Sequence, residues 1–242
     1  MKRRSLLFII GASIFLSCSK DAEPETKIDA NSLELNYDKT HQFEITKGSE
    51  NLSGSYKWAS SDPTVGTVSP TGKFTARKIG STVVSAKSEG QEYLSYITVS
   101  PYSTMFKEPS FEFGQNRTTI KNNNIGTVEA ESDNLLVYSV YAENVKRLLF
   151  AFENDNLTGV AVDIADTEQA KQEAKTFFRE RYPNVLPITG TQDSLYINDG
   201  KNIGVKFNTN ESLGYYATYG KVAFTNGRLS SDSGKFDAIL RK

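Results

Sequence analysis

The chain has 242 residues, enough for one large or two small domains that each bury a core. Its 28 lysines and arginines nearly balance 29 aspartates and glutamates, and no basic block follows Lys2-Arg3-Arg4, which argues against a nucleic-acid partner. One histidine (His41) and one cysteine (Cys18) rule out an internal disulfide and a histidine-based triad or zinc site in the second half, so no cofactor is expected.

Lys2, Arg3 and Arg4 form a positive start, and Leu6 to Leu16 is an apolar run too short to span a bilayer but suited to a secretory signal. The run closes on Phe15-Leu16-Ser17-Cys18, which resembles the lipobox of a bacterial lipoprotein, with Phe15 where leucine is usual. The resemblance implies a signal peptide over 1–17 and lipid on Cys18, which would hold the mature protein to a membrane. Residues 18–25 then read as a lipidated tether. Ser19 after the cysteine is compatible with outer-membrane sorting, and the lysine and acids that follow look like the surface-export tethers of Bacteroidetes lipoproteins.

Residues 26–100 carry seven short alternating segments. They are 28–37, 41–45, 56–58, 65–68, 73–76, 82–87 and 92–99, with turn residues such as Pro70-Thr71-Gly72 and Glu89-Gly90 between them. That rhythm predicts an all-β immunoglobulin-like sandwich. Trp58, the only tryptophan, is expected to plug its core. His41 shares parity with Phe43 and Ile45 and reads as a packed or rim residue. The pattern Trp58, Ser60-Ser61-Asp62-Pro63, Val65, Val68, Gly72, Thr75-Ala76, Gly80 and Val84 resembles the group 2 bacterial immunoglobulin-like domain of intimin- and invasin-type adhesins. The resemblance implies a surface setting and a module that often serves as a spacer.

Residues 101–109 read as a linker and 110–242 as an α+β domain, one amphipathic helix on an antiparallel sheet. A short helix is expected around Thr119–Lys121, ended by Asn122-Asn123-Asn124. Strands are expected at 127–131, 135–142, 145–153 and 157–164, with Asn154-Asp155-Asn156 as a hairpin turn. Asp166 with Gln169 reads as a capping box for a helix whose stripe is Ala170, Ala174, Phe177 and Phe178, stopped by Tyr182-Pro183. Further strands are expected at 194–198, 203–208, 213–221 and 222–225, leaving a polar tail.

Chemistry is sparse. Glu129, Glu131 and Asp133 alternate on one strand, a geometry for a cation or paired carboxylates, although charges also guard sheet edges. Glu153 to Gly159 has leucine where a calcium loop needs a third oxygen, so it reads as a turn. Tyr215 and Tyr219 share a strand face opposite Tyr216, and any that are exposed are candidate ligand contacts. Asp193-Ser194-Leu195 fits the short Bacteroidetes O-glycosylation pattern at Ser194. These features favour a non-enzymatic surface lipoprotein that binds a glycan or a host or extracellular protein. The alternatives are an envelope accessory protein in glycan uptake or assembly and a carboxylate-dependent hydrolase.

Overall fold

The computed structural model describes residues 23–124, 126–188, 194–211, 213–225 and 228–231. Its first half comprises β1 (Thr26–Ile28), β2 (Ser32–Asn36), β3 (Thr40–Gln42), β4 (Ile45–Lys47), β5 (Glu50–Asn51), β6 (Lys57–Ser60), β7 (Gly66–Val68), β8 (Lys73–Ala76), β9 (Gly80–Ser88) and β10 (Gln91–Ser100). The sheet β2-β10-β9-β6 and the smaller sheets β1-β4-β5 and β3-β8-β7 enclose one core containing Ile28, Phe43, Ile45, Phe74, Val84 and Ile97. This is the expected sandwich.

Two of the alternating segments, 28–37 and 41–45, are each divided between two strands, the second between β3 and β4. Residues 28–37 divide into β1, antiparallel to β4, and β2, parallel to β10, so the entering chain serves both layers. Asp29 marks the break: its carboxylate accepts the Glu44 amide (2.8 Å) and pairs with His41 Nε2 (2.8 Å), which puts the only histidine on the rim. Trp58 is half-buried and is not the central plug. Phe43 and Phe74 fill the centre, and the indole lies over Phe43 at 5.9 Å with its N–H donated to the Ser53 carbonyl (3.0 Å). A ring that carries a donor stays where that donor finds a partner.

The second half comprises α1 (Arg117–Asn123), β11 (Thr127–Glu131), β12 (Leu135–Ala142), β13 (Val145–Glu153), β14 (Asn156–Ile164), α2 (Glu168–Arg179), β15 (Asn184–Pro187), β16 (Ser194–Ile197), β17 (Ile203–Asn210), β18 (Gly214–Thr225) and β19 (Arg228–Ser231). The strands form an antiparallel sheet in the order β11-β12-β13-β14-β18-β17-β16-β15, with β19 beside the end of β18. Asn154 and Asp155 both have positive φ, the mirror-image turn that matches the twist of the β13–β14 hairpin. The helix α2 is capped by Thr167, whose hydroxyl accepts the Ala170 amide (3.2 Å), and not by Asp166, which pairs with Lys171 (2.8 Å). Its Ala170, Ala174, Phe177 and Phe178 pack on one face of the sheet. Phe178 sits among Phe106, Tyr182, Tyr196, Phe207 and Tyr219, all with ring centroids within 6.5 Å.

Residues 101–109, expected as a linker, are packed. Met105 and Phe106 belong to the second core, and Phe106 stacks on Phe177 at 4.4 Å. Glu180 anchors the start of the segment and is fully buried. Its carboxylate accepts the Tyr102 amide (2.8 Å), the Ser103 amide (3.2 Å) and Arg181 Nη1 (2.7 Å). The Glu180 carbonyl accepts the Ile79 amide (2.8 Å), while Lys78 pairs with Asp199 (2.7 Å). The sandwich is therefore bonded directly to the end of α2 and to the β16–β17 turn.

Candidate functional site

The three candidate tyrosines are buried and do not present a ligand platform. Tyr215 is 8 % exposed and stacks on Phe207 at 5.3 Å. Tyr216 (2 %) lies on the opposite sheet face with Leu149, Ala151 and Ala161, its hydroxyl accepting from Asn210 (3.3 Å). Tyr219 (1 %) donates to Glu108 (2.9 Å), which also accepts from Tyr182 (3.0 Å). The physical reason is that β18 lies between β14 and β17 with both faces covered, so strand parity assigns each ring to a core. Burial, and then the Glu108 charge, hold the Tyr182 and Tyr219 hydroxyls well above their ordinary pKa. These rings, with Glu108, form a structural clamp.

The acidic strand also loses its shared face. A bulge between Val128 and Ala130 puts Glu129 toward Ser139 (3.0 Å) and Arg147 (3.9 Å), while Glu131 turns to Lys121 (2.9 Å) and Arg117 (3.5 Å). The Lys121 hydrogen bond lowers the Glu131 pKa, so this carboxylate is held ionised as an edge charge. Among the described residues no group of three His, Cys, Asp or Glu side chains is placed to hold a metal. Ser194 opens β16 half-buried; its neighbour Asp193 lies outside the described residues, as does Cys18.

What the second domain does expose is a cleft of about 370 Å³ beside the start of β11. The β11–β12 ladder begins at Thr127 and Ser139, so Val140 and Tyr141 run on with no residue of β11 opposite them. The β12–β13 register shifts between Ser139 and Ala142, and a bulge of this kind re-aims a side chain. Tyr141 is 90 % exposed, the largest value among the exposed apolar and aromatic side chains of the described residues. The far wall is the segment 107–110, stapled to the end of α1 by Asn124, whose side chain accepts the Ser110 amide and donates to the Ser110 carbonyl, both at 2.8 Å. Tyr138, Val140 and Leu148 supply the apolar part of the lining, and Lys107 and Asn123 the polar part. Sequence reasoning misses Tyr141 because nothing in Leu135–Ala142 marks the bulge.

Residues 24–99 match the family described as Bacterial Ig-like domain (group 2). No curated protein matches the chain. Among solved structures, domains 5-6 of the S-layer protein SbsC are similar at 10% identity and a TM-score of 0.28, covering 87% of this chain and 92% of that one. A structure of SbsC domains 1-6 is similar at 12% identity and the same TM-score, covering 86% of this chain and 25% of that one. At that level of similarity neither carries an argument about this protein. The family match is consistent with a surface or adhesion-type protein. Residues 24–99 are a group 2 bacterial Ig-like domain.

Proposed function

We propose that this is a non-enzymatic, lipid-anchored surface protein in which the Ig-like domain spaces a binding domain, residues 110–242, from the membrane. The observation that carries the reading is the group 2 Ig-like domain, residues 24–99, lying directly after a segment that resembles a lipoprotein signal ending at Cys18. The second domain supports the binding role with its cleft and exposed ring, Tyr141. The lipid tethers, the sandwich sets distance, and the packed 101–109 segment fixes the orientation in which the second domain is presented.

The test is protease shaving of intact cells together with metabolic labelling by a radioactive fatty acid. The expected result is cleavage of the chain on intact cells and a label that Cys18→Ser abolishes. A chain protected until the envelope is opened faces inward and overturns surface display. A chain that never takes up label overturns the anchor.

A further inference from the structure

We infer that the cleft between residues 107–110, the end of α1 and the β12–β13 bulge binds a short saccharide, with an acidic sugar seated toward Lys107. The inference deepens the reading of the second domain as a binding domain and rests on it. Several observations converge. The Tyr141 ring stands almost wholly in solvent on a strand, where a flat aromatic face offers contact area at low entropic cost. The cleft it borders combines apolar and polar lining: Tyr138, Val140 and Leu148 match the C–H face of a sugar ring, and amide and ammonium groups match its hydroxyls.

The polar groups are available. Among the described residues the side chains of Asn123 and Lys107 have no hydrogen-bond or ion-pair partner, whereas Asn124 is spent on its staple to Ser110 and Ile120. Charge then selects the sugar. Lys107 and Glu108 both line the cleft, but Glu108 Oε1 is bound by the Tyr182 and Tyr219 hydroxyls and Arg181 lies 3.9 Å from Oε2. Lys107 is thus the uncommitted charge of the lining, and a carboxylate is its natural partner. Finally, the wall is preformed: the Asn124 staple and the Phe106 and Met105 anchors hold 107–110 in place, so little ordering is lost on binding. A volume near 370 Å³ lies at the small end for ligand sites and suits one or two sugar rings better than a long peptide.

The experiment is saturation-transfer NMR and calorimetry on the full chain in detergent, with a hyaluronan tetrasaccharide as the acidic probe and chitotetraose as the neutral one. The acidic probe is expected to bind about fivefold more tightly at low salt, with the preference lost in Lys107→Met and in high salt. Tyr141→Ala should weaken both probes by about tenfold, and Tyr141→Phe by no more than about twofold. Because Tyr141 is so exposed, these variants keep the fold, which amide exchange of the second core verifies.

Absence of binding by both probes to a folded chain overturns the inference, as does binding that survives Tyr141→Ala. If both probes fail but cells displaying the chain still adhere to matrix protein through residues 102–242, the binding-domain reading stands and the saccharide site falls. If adhesion is also absent, both fall.

Discussion

The two halves of the molecule bury their cores in different ways. The sandwich is built from strands of two to ten residues and closes around Phe43 and Phe74 with aliphatic neighbours. Backbone approaches side chain closely there: a Cβ on Gly66 would sit 2.2 Å from the Phe74 ring, and one on Gly72 would meet the Phe43 carbonyl at 2.9 Å. The second domain instead uses a wide sheet and one helix to enclose a cluster of rings centred on Phe178. The hydroxyls of Tyr182 and Tyr219 are then brought to one carboxylate, Glu108. The first solution rests on small residues at fixed spacings and leaves a motif. The second rests on partners as much as 111 positions apart and leaves none.

Substitutions ordered by expected effect sharpen this contrast. Phe178→Ala removes the ring at the centre of the second core and should destabilise that domain by about 4 kcal/mol. Amide exchange at Phe43 and Phe74 should be unchanged; faster exchange there would mean that the two cores melt as one. Glu180→Ala should cost about 3 kcal/mol, because it leaves the Tyr102 and Ser103 amides without their acceptor in a buried seam and removes the carboxylate that pairs with Arg181. Chemical denaturation followed in both domains should show their transitions moving apart.

Glu108→Ala removes the acceptor shared by the Tyr182 and Tyr219 hydroxyls and should cost about 2 kcal/mol, read from a denaturant midpoint. The same clamp predicts a response to base. The folded chain keeps protons on Tyr182 and Tyr219 that the unfolded chain releases near pH 10. This contribution to stability is complete below about pH 10 and declines as pH rises further. Phenolate absorbance should therefore show these two rings ionising only as the second domain unfolds. Gly72→Ala, at φ +85° and against Trp58, should cost about 1.5 kcal/mol and act on the sandwich alone. Glu131→Gln, on an exposed edge, should leave the melting temperature unchanged.

The same contrast explains how much could be read from the chain. The sandwich was legible because Asp62-Pro63, Gly72 and Gly80 act locally, and local turn chemistry is written in consecutive residues. The hairpin at Asn154-Asp155 and the stripe of α2 were legible for the same reason. The size of Trp58 points to the core centre, but its N–H needs an acceptor and finds the Ser53 carbonyl. The burial of all three β18 tyrosines is not legible, because alternation does not say that both faces of a strand are covered. Tyr141, the side chain that does stand out, depends on a register shift between two strands, and register belongs to the pair.

The parallel pairing of β2 with β10 has a mechanical consequence. After β1, the chain enters this pair at one end and leaves the sandwich at the other, since Ser32–Asn36 run alongside Tyr96–Ser100 in the same direction. A pull applied between the two ends of the module therefore acts along the strands and in opposite senses. It loads the five residue pairs together in shear and does not unzip them one after another. Beyond Ser100 the load passes within three residues to the amides gripped by Glu180, with no slack segment to take up extension. Tension between a tethered amino terminus and a held second domain would thus be transmitted through a short, stiff path.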